Sequence, residues 1–410
     1  MDARERAIYQ IEEATEYTDI GDEEHERIRH VNQVHEFSVP YRTDEGHIET
    51  VTGYRAQHDQ AAGPYKGGLR YSPEVTKEEC EGLSIWMTLK CALANIPFGG
   101  GKGGLQIDTH EISDDEKERM TRRFATEMRP VIGEDIDVPA PDMGTDAQTM
   151  AWFMDAYSMQ KGGHQTGIVT GKPVGVSGIK GRAESPGRSV AITTKKAVEY
   201  LGEDLQGKTV AVQGFGSVGG YASLILEEWG ADIVSIANAS KTVYDGEGLD
   251  IESIWEESEI GRIEGHEGEE IEDDVLELDV DILIPAAIGN VLTQENADDV
   301  QAELVVEGAN GPTAPEADKI FQEKGIDVLP DILANSGGVI VSYFEWLHDI
   351  NRRKWGRDKV RKELHDEMDE SWEHVVDCYE RGDDITWRNA AGAVAIERLA
   401  KKYRMRGAWP

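Results

Sequence analysis

Lys102 sits in the run "IPFGGGKGGLQID", from Ile96 to Asp108, with five glycines around it. An ammonium group set among residues without side chains can be approached closely by a small molecule. The run is not a Walker phosphate loop. Ile96 stands where GxxxxGK requires its first glycine, and Gly103 follows the lysine in place of Ser or Thr. A lysine held near other cations and away from water loses basicity, which suits a base or a group that polarises a carbonyl.

Two more lysines share this character. Leu83, Met87, Lys90 and Ala94 recur at four, three and four residues, so they fall on one helix face that is otherwise apolar. In "GPYKGGLRYSP", Lys66 precedes two glycines in what reads as a second exposed turn. The chain is poor in basic residues, so Lys66, Lys90 and Lys102 together describe a pocket for an anionic substrate carrying two carboxylates. "DVPAPDMGTD" adds Asp137, Asp142 and Asp146. Pro139 and Pro141 stiffen the backbone around Asp142, as a positioned acid or base requires. Asp146 reads as the cap of the helix "AQTMAWFMDAYS".

A second chemical motif is Gly214-Phe215-Gly216-Ser217-Val218-Gly219, which follows the strand "KTVAVQ" and opens a helix. Glycines there give a tight turn and let backbone N–H groups meet a pyrophosphate at the helix N-terminus. The next strand ends at Asn238, Ala239, Ser240 and Lys241, where dinucleotide-binding folds commonly place an acid on the ribose 2′-hydroxyl. With no acid there, and with a hydroxyl and an ammonium present, the turn favours NADP over NAD.

The elements that must position these groups are legible in outline. "RHVNQVHEFSVPYR" and "IETVTGYRAQHD" alternate as strands do. A helix is signalled from about Ser72 to Asn95, with Ser72 as cap and Pro73 in its first turn. "VDILIPAA", "AELVVEGAN" and "GIDVLPDILAN" are short continuous apolar runs, and strands of that kind alternating with helices form a parallel sheet covered on both faces. The expected fold is α/β with two domains. Residues 1–185 form an α/β substrate-binding and oligomerisation domain, and 186–374 a Rossmann-type doubly wound domain. Helices at about 375–410 follow, and pattern alone leaves open whether they return to the first domain or stay with the second. No internal repeat is present.

Composition bounds the rest. With 42 Lys plus Arg against 80 Asp plus Glu, the net charge is −38. Such a chain repels itself at low ionic strength and is relieved at molar salt, where the Debye length falls to about 3 Å. Nine Trp and 39% hydrophobic residues exclude a disordered acidic chain. The expectation is a salt-adapted cytoplasmic protein that binds no nucleic acid, whose phosphates it would repel. "MDARERAIYQIEEATEY" has no apolar centre of a signal peptide, and no run approaches a membrane span. Cys80, Cys91 and Cys378 are scattered and read as reduced thiols. His and Cys do not cluster at ligand spacing, so no metal is expected.

"GPYKGGLRYSP", "PFGGGKGG", "DVPAPDMGT", "GFGSVG", "PAA", "EGANGP" and "PDILANSGGVIVSYFEW" occur in an order and spacing that resemble the hexameric glutamate dehydrogenases, from about residue 25 to 410. The resemblance implies reversible oxidative deamination of L-glutamate to 2-oxoglutarate and ammonium with NADP or NAD, in a homohexamer. It implies Lys102 as the catalytic lysine and Asp142 as the proton shuttle. Lys90 would bind the α-carboxylate, Lys66 with Ser342 the side-chain carboxylate, and Met87 and Arg182 would line the substrate site. Ala286 and Ala287 join the nucleotide site, and Asn310 and Asn335 lie near the nicotinamide. The chain departs from the family at Pro186, which replaces a threonine whose hydroxyl would reach the carboxamide; Ser185 is the neighbouring hydroxyl. Two rivals stand beside this reading. One is a dehydrogenase of apolar amino acids, in which a buried ammonium opposite an apolar side chain would be costly. The other is a non-catalytic subunit that binds nucleotide and glutamate.

Overall fold

The computed structural model describes residues 2–258, 260–272 and 274–407. The chain forms two compact units. The first takes the chain up to Lys180, then Val339–Val360, then the stretch from Gly392; the second takes Gly181–Gly338 and Arg361–Ala391. Pattern alone set the division at 185/186 and left open where the helices from about 375 pack.

In the first unit, helices α1 (Ala3–Thr15) and α2 (Asp22–Ile28) precede strands β1 (Gln33–Arg42) and β2 (Ile48–Asp59). With β3 (Tyr65–Tyr71), β4 (Gly99–Leu105) and β5 (Asp137–Pro141) these make a sheet ordered β1-β2-β4-β3-β5. β1 and β2 run antiparallel, as do β2 and β4, whereas β3 is parallel to both β4 and β5. Two of these strands correct the sequence expectation. Lys66 lies within a buried strand, not an exposed turn, and every residue of glycine-rich β4 is buried. Glycine weakens a strand, but space decides here. A Cβ on Gly100 would stand 2.1 Å from the Ser84 carbonyl oxygen and 2.2 Å from Thr88 Oγ1, both on helix α3 (Lys77–Leu93). The glycine run therefore lets α3 lie close on the sheet. β5 carries Pro139 and Pro141 at the sheet edge, where missing N–H groups cost no inner ladder bond.

The α3 helix starts four residues later than its pattern suggests, with its cap at Thr76 and not Ser72. Thr76 caps it by accepting the Glu79 N–H at 3.2 Å. Ser72 instead accepts the Glu74 N–H at 3.2 Å, and its own N–H donates to the Leu105 carbonyl at 3.1 Å. That bond ties Ser72 to the end of β4, so the chain turns before it coils. On the opposite sheet face Val39, Leu69, Tyr71 and Leu105 pack on α4 (Asp114–Met128) and α5 (Ala147–Lys161) through Phe124, Met128, Met150 and Phe153. Asp146 caps α5, accepting the Thr149 N–H at 2.8 Å.

The second unit opens with α6 (Ser185–Tyr200), β6 (Thr209–Gln213), α7 (Ser217–Glu228) and β7 (Asp232–Ala237). Next come β8 (Thr242–Tyr244), α8 (Ile251–Glu257), β9 (Glu269–Ile271), β10 (Ile282–Pro285) and β11 (Leu304–Val306). α9 (Pro315–Lys324), β12 (Asp327–Leu329) and α10 (Asp331–Ala334) complete it. The sheet order is β12-β11-β10-β6-β7-β8-β9, parallel through β7 and antiparallel at β8 and β9. The short apolar runs read as strands are β10, β11 and β12, and their side chains are buried with Phe321 and Val300. Helix α11 (Gly337–Asn351) lies in the first unit from Val339, α12 (Arg357–Tyr379) in the second from Arg361, and α13 (Trp387–Arg406) in the first from Gly392. No helix among the described residues is long and apolar enough to cross a membrane.

Candidate active site

The β3–β4 pairing gathers the lysines. In parallel register Lys66 lies opposite Gly100, Leu69 opposite Gly103 and Arg70 opposite Gly104. Alternate residues share a face, so Lys66, Gly68 and Arg70 stand beside Gly100, Lys102 and Gly104 on the side covered by α3. From that helix Met87 brings its Cγ to 3.4 Å from the position a Cβ on Gly67 would take. Lys66, Lys90 and Lys102 are all buried, at 1%, 7% and 5% exposure. Burial pushes the Cys91 thiol up to about 12 against the pull of Lys66, Lys90 and Lys402.

Asp142 is the centre of this face. Its Oδ2 contacts the Lys102 ammonium, and its Oδ1 accepts from Arg70 Nε at 3.1 Å. The Met143 N–H also donates to Oδ1, at 2.6 Å, and the Asp142 N–H donates to Thr145 Oγ1 at 2.8 Å. A Cβ on Gly68 would stand 2.6 Å from Oδ2, so glycine clears the space the carboxylate fills. Burial pushes this carboxyl up. Lys102 and then Arg70 outweigh burial, and the group is held at about 2. Arg70 is itself fixed by Glu79 Oε1 at 2.5 Å. Arg70 was visible in "KGGLRYSP", but nothing in the sequence tied it to residue 142.

Asp137, a neighbour of Asp142 in sequence, has a different role. Fully buried, it pairs with Arg55, whose Nε donates to Oδ2 at 2.8 Å, and it accepts from Gln57 Nε2 at 2.8 Å. Arg55 Nη1 also donates to the carbonyls of Gly67 and Gly68, at 3.3 and 3.2 Å. This buried pair holds the backbone that carries Lys66.

Ser342 is buried on α11. Phe98, just before β4, meets Tyr343 and Trp346 edge-on at 5.9 and 5.2 Å, which brings that helix to the glycine strand. Buried Lys172 anchors it further, donating to Glu345 Oε1 at 2.6 Å and Asp349 Oδ2 at 2.9 Å. Lys172, in "TGKPVG", was not singled out by its sequence setting. Arg182 belongs to the second unit, where its Nη1 lies 3.6 Å from the Cβ position of Gly338.

In the second unit Gly214 has φ +96°, and a Cβ there would be 2.7 Å from the Ala287 nitrogen. Nothing lies within 4 Å of the Cβ position of Gly216, the residue that caps α7. Glycine at 214 thus lets the turn pack on Ala286 and Ala287, while 216 leaves room over the N-terminus of α7, where Ser217 and Val218 begin the helix and Gly219 packs on Gly214. These residues fit a bound dinucleotide pyrophosphate. Phe215 is buried edge-on against Trp255 at 5.7 Å and serves packing. Asn335 Nδ2 donates to Asn310 Oδ1 at 3.2 Å and to the Gly308 and Ala309 carbonyls, so the two asparagines meet beyond the carboxyl end of β11. That is where open α/β sheets bind ligands. Ser185 Oγ donates to the Arg182 carbonyl at 2.8 Å, so its hydroxyl is engaged within the chain.

The turn after β7 needs a correction. Lys241, read as available to a 2′-phosphate, donates to Glu270 Oε1 at 2.8 Å and lies 3.1 Å from His266 Nε2. Asn238 Oδ1 accepts the N–H groups of Ser240 and Lys241 at 2.8 and 3.0 Å. A carboxylate does stand at this turn, delivered by β9 from 29 residues away.

Residues 31–159 match the Glu/Leu/Phe/Val dehydrogenase dimerisation domain, and residues 177–407 match the Glutamate/Leucine/Phenylalanine/Valine dehydrogenase family. The chain is 52% identical over 410 residues to the NAD-specific glutamate dehydrogenase A of Halobacterium salinarum, covering all of this chain and 94% of that one. It is 42% identical to the NADP-specific glutamate dehydrogenase A1 of the same organism, covering 98% and 97%. The crystal structure of the hetero-hexameric glutamate dehydrogenase from Thermus thermophilus superposes with a TM-score of 0.93 at 35% identity, covering 100% of this chain and 98% of that one. The chain therefore belongs to the glutamate/leucine/phenylalanine/valine dehydrogenase family, within its glutamate dehydrogenases.

Proposed function

We propose that the protein catalyses the reversible oxidative deamination of L-glutamate to 2-oxoglutarate and ammonium with a nicotinamide dinucleotide. The observation that carries this reading is the Asp142 carboxylate, seated over Gly68 between Lys102 and Arg70, on a face that also holds Lys66. Lys66, with Ser342, takes the side-chain carboxylate, and Lys90 takes the α-carboxylate. The nicotinamide, when bound, accepts the hydride that leaves the α-carbon. Water adds to the resulting iminium carbon, held by the Lys102 ammonium, and gives a proton to the Asp142 carboxylate. Asp142 passes that proton to the amine, then takes the remaining hydroxyl proton as the carbonyl forms and ammonia leaves. In the reverse direction the Lys102 ammonium polarises the carbonyl that ammonia attacks.

The first unit is the substrate-binding part and the second the nucleotide-binding part. The acid excess supports a salt-adapted cytoplasmic enzyme, and the family resemblance supports a homohexamer. The test is absorbance at 340 nm with NAD⁺ or NADP⁺ in about 3 M KCl, the regime in which the Debye length is under ~3 Å. Turnover of glutamate and not of leucine is expected. Leucine turnover would favour the apolar amino-acid reading, and no turnover with any amino acid would favour a binding subunit.

A further inference from the structure

We infer that Glu270 makes this chain discriminate against a 2′-phosphorylated nucleotide, so that it binds NAD in preference to NADP. The inference rests on reading the Gly214–Gly219 turn as a dinucleotide site. In a doubly wound sheet the adenosine ribose lies beyond the second strand of the nucleotide half, here β7, at the turn 238–241. A 2′-phosphate brings between one and two negative charges, by analogy with other phosphate monoesters, and needs donors or cations to receive it.

This turn has little to offer one. The N–H groups of Ser240 and Lys241 are already given to Asn238 Oδ1. The Lys241 ammonium is given to Glu270 Oε1 at 2.8 Å, and the pair sums to zero charge. The β8–β9 ladder sets the Glu270 backbone opposite Val243, from where its exposed side chain reaches Lys241. The ammonium holds its carboxyl below the usual glutamate range, so it stays ionised. Glu264, Glu267, Glu269 and Glu272 surround it in sequence and outnumber Arg262 and His266, whose Nε2 lies 3.5 Å from the Glu270 carboxylate. Salt screens that wider field, so the discrimination rests on the direct Lys241–Glu270 contact, which occupies the ammonium a phosphate would need. A neutral ribose hydroxyl meets no such opposition and can donate to a carboxylate.

The test titrates NADH and NADPH by nucleotide fluorescence against the full-length protein in 3 M KCl, alongside kcat/KM for NAD⁺ and NADP⁺. The wild type should favour the unphosphorylated nucleotide at least tenfold. Glu270→Gln keeps the size and removes the charge, and should shift the NADPH-to-NADH affinity ratio about tenfold toward NADPH. Adding Lys241→Met should abolish that gain. A wild type that prefers NADPH, or a ratio unmoved by Glu270→Gln in a variant that still binds NADH, would overturn the inference. Nucleotide preference that follows Glu270 without glutamate turnover would sustain it and sink the activity reading instead.

Discussion

Asp142 is useful because it is gripped from two sides. A lone buried carboxylate would drift toward its neutral form, but Lys102 and Arg70 keep this one ionised and pointed. A positioned acid–base group contributes typically 10²–10⁴-fold, so Lys102→Ala and Asp142→Asn should each lower kcat at least about a hundredfold. NADH affinity should be retained, as equilibrium titration will show. Arg70→Gln removes one of the two cations. Because the folded carboxyl lies below its unfolded value, its stabilising contribution is present above the unfolded pKa and fades as pH falls toward about 2. Without Arg70 that fading begins at higher pH, and the acid limb of the kcat/KM profile should move upward. Arg70→Lys should restore it, and an unmoved limb in Arg70→Gln would reduce Arg70 to a packing residue. Lys66, Lys90, Lys102 and Asp142 were legible because their types clash with their sequence settings. Arg55 and Glu270 were not, since their roles depend on partners 82 and 29 residues away, contacts that no local pattern encodes.

The elements were legible where period-2 or continuous apolar patterning holds, as in β1, β2, β6 and β10. They were hidden where glycine suppresses patterning. β3 and β4 carry too few side chains to show alternation, yet they are inner strands of their sheet. Two glycines there separate folding from chemistry. Gly100→Ala would drive a methyl group into the backbone of α3, and a loss of soluble folded protein is expected. In Gly68→Ala the methyl meets Asp142 Oδ2 and Cβ at 2.6 and 2.7 Å, so the turn that follows edge strand β5 must give way and carry the carboxylate off Lys102. That variant should fold and lose kcat more than it loses melting temperature, which calorimetry beside the 340 nm assay will show. Lys172→Met would strand Glu345 and Asp349 without their buried counter-charge, a change that costs about 3–5 kcal/mol in comparable sites. Its melting temperature should fall well below that of wild type.

At the scale of the whole molecule, the excess of acid over base is not spent on the site. Its net charge of −38 predicts a melting temperature that rises between about 0.1 and 3 M KCl; a flat profile would contradict salt adaptation. The doubly wound class followed from strand and helix alternation, but the path of the chain did not. It leaves the first unit after Lys180, returns at Val339, leaves again after Val360 and returns at Gly392. The last three of those crossings fall inside α11, α12 and α13, whose helical patterns look alike wherever they pack.

The sulfur atoms of Cys80 and Cys91 lie wholly inside the first unit, and burial lifts both thiols to about 12. Alkylating reagents and peroxides attack the deprotonated form, which is essentially absent at neutral pH. Air-handled preparations should therefore keep their activity without added reductant, and iodoacetamide should label neither residue until the fold is opened by denaturant.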